Sequence, residues 1–374
     1  MRVAIDASRT TRAHMTGTER YALELIRALI RLNETLDEPH HLFLYFNEPP
    51  ARTLFPKSRF VAKVVIPMSR LWTQVRFSAE LYKHPPDVTW VPAHGLPFLF
   101  PGRSVVTIHD LGYRLFPAAH PLRQRLALEV YTGYSANRAT VIMADSKATR
   151  DDLHRQYGIN PEKVRVVYPG VKPLYTHDIS VVRRKYHIPS RYWLYIGTLQ
   201  PRKNIPRIVK AFHMWKALQT EDDKTVLVLA GGKGWQFDEA WAQGDDVLMP
   251  GYIDEEDKGT LYSGAIALLF PSLYEGFGFP VVEAMGVGTP VICSDTSSLP
   301  ELGGQAVLYV QPENTTKIAD QMTRLTSDPR LRASLSRRGK VQAKKFTWED
   351  AAWDALLALE NAGRHRSRQR VKEG

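Results

Sequence analysis

Residues 267–285 read ALLFPSLYEGFGFPVVEAM, and they give the clearest indication of how the chain folds. It opens with a short apolar run, residues 267–270, which is typical of a strand buried on both faces of a sheet. A loop with two glycines follows, and Pro280 then suits the first turn of a helix. A strand that passes through a loop into a helix is the repeating unit of a parallel α/β sheet.

The same alternation of short apolar runs and helical patterns extends in both directions along the chain. It predicts parallel sheets with right-handed crossovers. The predicted strands are residues 3–5, 42–46, 61–66, 88–91, 105–108, 140–144 and 164–167, then 192–196, 226–229, 247–249, 267–270, 291–293 and 307–310. The predicted helices include residues 19–30, 206–218 and 348–361, together with one capped by Ser146.

Two domains are expected, because 374 residues exceed the size at which one hydrophobic core stops growing. Residues 168–173 hold two prolines and a glycine between the two runs of strands, and they predict the linker. In the helix at 19–30 an apolar stripe runs from Ala22 to Ile30, so Glu24 and Arg27 are expected to face away from the core.

The chain carries a net charge of +11, which suits nucleic acid, an anionic membrane or a phosphorylated substrate as partner. Part of the excess lies in residues 364–372, predicted to be a solvated, frayed end. The single cysteine, Cys293, fits a reducing cytosol. Residues 1–6 lead straight into a strand and no segment resembles a membrane span, so we expect a cytoplasmic protein without a signal peptide.

Two glutamates stand in an otherwise apolar segment. Glu275 lies in the glycine-bearing loop, and Glu283 follows about one to two helical turns into the next helix. Buried carboxylates need partners, and paired sugar hydroxyls are suitable ones because a carboxylate accepts two hydrogen bonds at once. The alternative is a structural role, in which both glutamates bond nearby backbone or an arginine.

The segment with these glutamates resembles the retaining glycosyltransferases of family 4, which have the GT-B fold. That fold has two Rossmann-like, doubly wound domains with a cleft between them and a C-terminal helix that crosses back to the first domain. The resemblance implies an acceptor-binding domain at residues 1–172, a nucleotide-sugar-binding domain at 173–345, and a crossover helix with a basic tail at 346–374. It also implies that Glu283 binds the donor ribose. The expected donor-sugar contacts are Glu275, Gly276, Phe277 and Gly278.

Arg202 and Lys203 form a second candidate group, directly after the strand at 192–196 and before a helix. Adjacent cations at such a place suit a diphosphate. The resemblance implies that they neutralise the leaving nucleotide diphosphate. Glycine-rich turns at Gly232 and before Tyr252 and Ile253 correspond to the places where the family lines its nucleobase pocket with backbone.

The first half supplies three further candidates. Gly17 opens the helix at 19–30, where a small residue can cradle an anion, and the family has a loop bordering the donor phosphates here. His109 and Asp110 end the strand at 105–108. The resemblance implies that His109 lies against the donor sugar and that Asp110, on the acceptor side, orients His109 or the acceptor.

The expected enzyme is a retaining hexosyltransferase that moves a mannose- or glucose-type sugar from a GDP- or UDP-sugar to a glycan or lipid-linked acceptor. Such a reaction belongs to cell-surface polysaccharide or glycolipid assembly. No cofactor or divalent metal is expected, since no Asp-x-Asp or His/Cys pattern with ligand spacing follows a strand. Arg123, Arg125, Arg138 and Lys147 beside apolar residues predict peripheral contact with the anionic inner face of a membrane.

Three other functions are alternatives to this one. A nucleotide-sugar epimerase shares the two-domain fold, but the two-glutamate segment favours transfer. A nicotinamide-dependent oxidoreductase needs a G-x-G-x-x-G motif, which is absent between Ile5 and Glu19. Nucleic-acid binding has only the basic charge in its favour, because no basic and aromatic motif of a known module occurs.

Overall fold

The structure is a computed structural model that describes residues 1–12, 15, 17–93, 95–242 and 244–370, with backbone alone at 242 and 364–370. The described chain separates into two compact units. The first consists of Met1–Arg114, Leu122–Gly170 and the chain from Thr347 onward, and the second of Leu115–Pro121 and Val171–Phe346.

The first unit is built on a parallel sheet. Among the described residues its strands are β1 (Arg2–Asp6), β2 (His41–Phe46), β3 (Val61–Val65), β4 (Val88–Val91), β5 (Arg103–Ile108), β6 (Val141–Ala144) and β7 (Val164–Val166). Its helices are α1 (Gly17–Asn33), α2 (Ser78–Lys83), α3 (Gly112–Leu115), α4 (Leu122–Arg138) and α5 (Lys147–Tyr157). The strand order is β3-β2-β1-β4-β5-β6-β7, so the order reverses between β1 and β4.

The second unit repeats this plan. Among the described residues its strands are β8 (Tyr192–Ile196), β9 (Val226–Ala230), β10 (Val247–Gly251), β11 (Leu268–Phe270), β12 (Val291–Ser294) and β13 (Leu308–Val310). Its helices are α6 (Ile179–Tyr186), α7 (Ile205–Lys216), α8 (Glu255–Gly264), α9 (Phe279–Val287), α10 (Leu299–Gly303), α11 (Thr315–Ser327) and α12 (Pro329–Ala343). The parallel order β10-β9-β8-β11-β12-β13 reverses between β8 and β11.

The last helix, α13 (Trp348–Arg370), belongs to the first unit, although it follows the second in sequence. It packs on α1, and Trp348 lies edge-on against Tyr21 of that helix. Arg165, which follows the first residue of β7, forms an ion pair with Asp354 of α13 at 2.7 Å. The predicted doubly wound α/β class and the return of the C-terminal helix to the first domain are both confirmed.

One local prediction was wrong. Glu24 is buried at 6% exposure instead of facing solvent, because it accepts a hydrogen bond from Arg27 at 2.9 Å. Arg27 in turn donates to the carbonyl of Leu54, so the chain between β2 and β3 covers this side of α1. The backbone of residues 364–370 continues α13, and Val371 and Lys372 lie outside the described residues, so the solvated, frayed end stays a prediction.

Helix caps fix where several elements begin. The hydroxyl of Ser146 accepts a hydrogen bond from the backbone N–H of Thr149 at the start of α5, as predicted. Pro280 lies in the first turn of α9, also as predicted. In the part of the chain that the structure describes, every helix is too short or too polar to cross a bilayer.

Candidate active site

The site in the second unit lies where the strand order reverses. The segment with Arg202 and Lys203 follows β8, and the loop with Glu275 follows β11, which pairs directly with β8. In open parallel sheets ligands bind outside the carboxyl ends of the strands at such a reversal. The topology therefore brings together residues 72 positions apart at the place where this fold binds ligands.

Glu275 forms the centre of this group. Its Oε1 accepts a hydrogen bond from Lys203 Nζ at 2.5 Å, and its Oε2 accepts one from Arg202 at 3.2 Å. Arg202 also donates to the carbonyl of Tyr274 at 2.9 Å, which fixes the guanidinium beside the loop. Glu275 is 5% exposed, and the side chains of Arg202 and Lys203 are 17% and 11% exposed. The three form one buried, hydrogen-bonded charge cluster.

The charges in this cluster do not cancel. Burial raises the pKa of Glu275, but the charges of Lys203 and Arg202 lower it by a larger amount. The pKa is therefore below its ordinary value, and the carboxylate stays ionised. Two cations against one carboxylate leave a net positive charge at the carboxyl ends of β8 and β11. A positive, desolvated group of this kind attracts a phosphate dianion.

The loop after Glu275 is held from behind by serines of the segment after β12. Ser298 Oγ donates to the carbonyls of Glu275, at 3.0 Å, and of Phe277. The N–H of Glu275 donates to Ser297 Oγ at 3.1 Å. Gly278 has φ of +122°, and a Cβ there would lie 2.7 Å from Leu299, so the loop requires glycine at this position.

Glu283 lies on α9 and has a different partner. Its Oε2 accepts a hydrogen bond from the hydroxyl of Tyr262 on α8 at 2.9 Å. Tyr262 is buried, and burial raises the pKa of its phenol, so the hydroxyl remains a donor. Glu283 is half-buried and lies outside the charge cluster of Glu275.

Glycines fill the neighbouring strand ends. Gly231 follows β9 with φ of +135°, and a Cβ there would lie 2.1 Å from the carbonyl oxygen of Gly197. A Cβ at Gly232 would meet no atom within 4 Å, so its backbone borders open space. After β10, Tyr252 is 66% exposed, whereas the Ile253 side chain is 2% exposed and belongs to the core. Of these residues, Gly232 and Tyr252 are exposed.

Asn204 connects the turn after β8 with the loops after β11 and β13. It was not identified as a site residue from the sequence. Its side-chain amide donates to the carbonyl of Pro271 at 2.8 Å and to that of Pro312 at 2.6 Å. Its backbone is left-handed, with φ of 65°, a conformation that asparagine tolerates better than most residues. Asn204 thus ties the Arg202–Lys203 turn to the loops after β11 and β13.

In the first unit, His109 follows β5 and is 5% exposed. Its Nδ1 bonds Asp145 Oδ2 at 2.8 Å, and its Nε2 bonds the carbonyl oxygen of Pro92 at 3.3 Å. The ring packs edge-on against Tyr21 of α1 with centroids 4.8 Å apart. Both ring nitrogens therefore face acceptors, which favours the protonated imidazolium.

Asp145 holds the His109 ring in place through the bond between its Oδ2 and the ring Nδ1. Asp110 accepts a hydrogen bond from the N–H of Gly112 at 2.7 Å, which caps the turn into α3. Asp145 follows β6, the strand next to β5, so its carboxylate reaches His109 across the end of the sheet. The sequence feature that could have identified this partner is the position of Asp145, an acidic residue at the end of a strand and directly before the Ser146 cap.

Gly17 is the first residue of α1 and is exposed. Two residues later, Glu19 is 3% exposed and forms an ion pair with Arg12 at 3.0 Å. Residues 13, 14 and 16 lie outside the described residues, so Thr16 of the predicted anion cradle is not described. The roles of Gly17, His109 and Asp110 remain predictions.

We expect His109 to titrate above pH 6.5 in the wild type and below it in Asp145→Asn. Burial lowers the pKa of His109, but the Asp145 carboxylate, with smaller contributions from Pro92 and Asp110, raises it beyond the ordinary 6.5. Without Asp145, burial dominates. NMR titration of the imidazole measures this, with Asp110→Asn as the control that keeps the pKa raised. A wild-type His109 that titrates below 6.5 would contradict the geometry.

The same shift has a consequence for stability. Because the folded pKa is raised, protonated His109 stabilises the fold fully below pH 6.5, and this contribution is lost as pH rises through the folded pKa. Asp145→Asn should therefore flatten the pH dependence of unfolding over that interval.

No group of three or more His, Cys, Asp or Glu residues with the geometry of a metal site occurs in the described ranges. The structure brings Arg202, Lys203 and Glu275 into contact in one unit and His109 and Asp145 into contact in the other. Gly232 and Tyr252 follow β9 and β10 of the second unit, and Glu283 on α9 bonds Tyr262.

Two family profiles match the chain in succession. The profile described as "Glycosyltransferase Family 4" matches residues 15–173, and that described as "Glycosyl transferases group 1" matches residues 181–342. The chain is 29% identical over 369 residues to O-antigen chain mannosyltransferase B of Escherichia coli, with 92% of this chain and 96% of the relative covered.

Solved structures share the fold at low identity. Sucrose-phosphate synthase from Thermosynechococcus elongatus matches with a TM-score of 0.71 at 22% identity, covering 100% of each chain. HepE of Anabaena in complex with UDP and glucose matches with a TM-score of 0.69 at 16% identity, covering 96% of this chain and 99% of that one. The chain therefore belongs to the family 4 glycosyltransferases, which have the GT-B fold.

Proposed function

We propose that this glycosyltransferase transfers a hexose, mannose in the first instance, from a nucleotide-diphosphate sugar to a glycan or lipid-linked acceptor, with retention at the anomeric carbon. The observation that carries the proposal is the buried cluster of Glu275 with Arg202 and Lys203. These three charged side chains lie where β8 and β11 end. Together they carry a net positive charge, and the carboxylate of Glu275 can accept hydrogen bonds from sugar hydroxyls.

The donor would lie across the strand ends in the order of the sheet. The nucleobase would lie by Gly232 and the backbone of Tyr252 and Ile253, after β9 and β10. The diphosphate would lie by Arg202 and Lys203, after β8. The sugar would lie by Glu275 and the amides of Gly276, Phe277 and Gly278, after β11. Glu283, oriented by Tyr262, would bind the ribose hydroxyls.

The cluster supports front-face substitution rather than a covalent sugar-enzyme intermediate. Both oxygens of Glu275 are held by cations, so this carboxylate is poorly placed as a nucleophile. The bond from the anomeric carbon to the diphosphate oxygen would break as the acceptor oxygen bonds to the same face. The departing phosphate would take the acceptor proton. Lys203, Arg202 and the loop amides would stabilise the negative charge that develops on the diphosphate.

Mannose is supported by the relatives. O-antigen chain mannosyltransferase B covers nearly the whole chain at 29% identity, and RfbU of Salmonella typhimurium, also named an O-antigen chain mannosyltransferase, is 27% identical over 226 residues. The expected setting is therefore the assembly of a cell-surface polysaccharide. GDP- and UDP-sugars remain the expected donors.

A donor screen tests this function. Purified protein is incubated with UDP-, GDP-, ADP- and dTDP-sugars and a crude lipid extract, and released nucleotide is measured with and without the extract. We expect release that depends on the extract, with a product whose anomeric configuration by NMR matches that of the donor. Interconversion of nucleotide sugars without an acceptor would indicate an epimerase, and an inverted product would refute retention.

Activity should survive chelation. Lys203 and Arg202 supply the positive charge that a divalent ion supplies in other transferases, so the diphosphate can leave without one. The rate is measured in excess EDTA, and then with magnesium or manganese restored. A loss of more than about ten-fold that either metal reverses would contradict this prediction. Such a loss would mean that the metal ion lowers the activation free energy by about 1.4 kcal/mol or more.

Peripheral attachment to an anionic membrane is proposed for the first unit. Leu122, Leu126 and Val130 recur every four residues on α4 and are 60%, 54% and 58% exposed. Arg123 lies between them and is also exposed. An apolar helix face bordered by arginines complements a negatively charged lipid surface, where each cation contributes about 1 kcal/mol.

The triple variant Leu122→Gln, Leu126→Gln, Val130→Gln should lose most binding to anionic vesicles. Sedimentation with phosphatidylglycerol vesicles at low and high salt measures it. Leu218→Gln with Val341→Gln, which changes apolar residues of the second unit that are 71% and 65% exposed, is the matched control. Wild-type protein that stays in the supernatant at low salt would refute attachment.

A further inference from the structure

A short segment leading from α3 to α4 belongs to the second unit, although the chain on both sides of it belongs to the first. It consists of residues 115–121, LFPAAHP, and we call it the 115–121 strap. Pro117 and Pro121 restrict its backbone, and Pro117–Ala119 form a short 3₁₀ helix. The strap is therefore stiff, and contacts of its side chains and carbonyls hold it in the second unit.

One end of the strap is fixed to the loop after β9. Trp235 Nε1 donates a hydrogen bond to the carbonyl oxygen of Ala119 at 2.7 Å. The His120 ring packs against the same indole, with ring centroids 5.6 Å apart. Ala119 is buried, so this end of the strap is covered by the residues it touches.

The loop that carries Trp235 is in turn fixed beside the segment after β8. The N–H of Leu199 donates to the carbonyl of Gly232 at 2.9 Å, and the N–H of Gly234 donates to the carbonyl of Leu199 at 2.8 Å. Leu199 lies two residues before the turn Pro201–Lys203. Trp235, which directly follows Gly234, therefore borders this turn from the side of β9.

The other end of the strap contacts the loop after β11. The ring of Phe116 lies 6.0 Å from the ring of Tyr274, measured between centroids. The carbonyl of Tyr274 accepts a hydrogen bond from Arg202 at 2.9 Å, so Tyr274 borders the same turn from the side of β11. In the sheet, β8 lies between β9 and β11. The strap therefore touches the loops on both sides of the β8 end.

The spacing of these two contacts along the strap limits the opening that it spans. Phe116 and Ala119 are three residues apart, and three residues reach at most about 10 Å when fully extended. The 3₁₀ helix shortens this reach to about 6 Å, at about 2 Å for each residue. The strap thus bridges a narrow opening between the loops after β9 and β11, and the turn with Arg202 and Lys203 lies between those loops.

We infer that the 115–121 strap is a lid on the diphosphate site and that Trp235 is the positioning residue that holds the lid closed. The inference rests on the proposed function, which puts the diphosphate at Arg202 and Lys203. The strap carries no carboxylate, so it does not repel a diphosphate that lies beneath it. A closed lid excludes water from the reacting groups and limits hydrolysis of the donor. The nucleoside diphosphate then enters and leaves only while the strap is open.

Trp235→Phe tests the lid, because it removes the N–H donor and keeps an aromatic ring beside His120. Losing one neutral hydrogen bond should raise the open fraction of the strap by about three- to ten-fold. Association and dissociation of the nucleotide both depend on that fraction, so both rate constants should rise by the same factor while Kd stays within about two-fold. Phe116→Leu, which removes the ring contact with Tyr274, should act in the same direction. Slow donor hydrolysis without an acceptor should also rise in both variants.

The rate constants are measured with whichever of UDP, GDP, ADP and dTDP binds most tightly to the wild type. Phosphorus NMR line shapes give the dissociation rate constant, calorimetry gives Kd, and the two together give the association rate constant. The matched control is Trp353→Phe, which changes an indole of α13 that is 49% exposed and should keep wild-type rates.

Two results would overturn the inference while leaving the transferase function intact. One is that both strap variants have the rate constants of the control. The other is that only dissociation becomes faster and binding weakens, which would mean that the strap contacts the nucleotide without gating it. If none of the four nucleotides binds to the wild type, the proposed diphosphate site is refuted, and the lid with it.

Discussion

Replacing Lys203 with methionine should reduce turnover by about 10²- to 10³-fold, the effect typical of removing one donor that stabilises negative charge in the transition state. Lys203 is 9% exposed, and its ammonium lies 2.5 Å from Glu275. Affinity for the free nucleoside diphosphate should fall as well, by roughly ten-fold or more, because the diphosphate loses a charged partner. Steady-state kinetics and calorimetry measure the two effects.

The control for Lys203→Met must separate chemistry from folding. Breaking a buried pair costs about 3–5 kcal/mol when one charge is left without its partner, although Arg202 still holds Glu275 here. Lys216→Met removes another partly buried lysine of the same unit, one that bonds the carbonyls of Asp223 and Thr225. We expect it to destabilise the fold without changing nucleotide affinity. Equal kinetic losses in both variants would mean that the Lys203 effect is structural.

Glu275→Gln should reduce turnover by about ten- to a hundred-fold, since a charge-assisted hydrogen bond contributes roughly 1.5–3 kcal/mol. The amide has nearly the same shape but carries no charge, so it no longer holds Lys203 and Arg202 in one ionic cluster. Nucleotide affinity should not fall, because both cations remain for the diphosphate. A contact that strengthens in the transition state affects kcat, whereas uniform binding affects KM.

Glu283→Gln provides the contrast. Its carboxylate bonds Tyr262 outside the cluster and is proposed to bind the ribose, which does not react. This variant should bind the free nucleoside diphosphate more weakly and should raise donor KM for every sugar. If both glutamine variants fold normally and retain wild-type turnover and nucleotide affinity, the two glutamates have a structural role. That role is the alternative interpretation of their positions in the sequence.

The strands could be predicted from the sequence because most are buried on both faces. The runs at 88–91 and 192–196 match β4 and β8 residue for residue, and the others differ by a few residues at their ends. Helix faces were harder. Glu24 looked solvent-exposed from the spacing of its neighbours, but the chain around Leu54 covers that side of α1. A local pattern carries no information about which distant segment will pack on it.

The residues of the site were easier to name than their partners. Arg202, Lys203 and Glu275 stood out by their places after strands, but the ion pairing that joins them depends on β8 lying beside β11. The same holds for Asp145, which reaches His109 because β5 and β6 are neighbours. Asn204 carries no distinctive pattern, since its two bonds are to backbone carbonyls of loops that are remote in sequence.

Calorimetric titration with the nucleoside diphosphate that the wild type releases shows directly whether the Glu275 cluster is the diphosphate site. We expect the two members of this ion pair to respond differently. Lys203→Met should weaken binding by roughly ten-fold or more, and Glu275→Gln should bind at least as tightly as the wild type. Folded variants that both bind with wild-type affinity, or that both lose affinity equally, would contradict it.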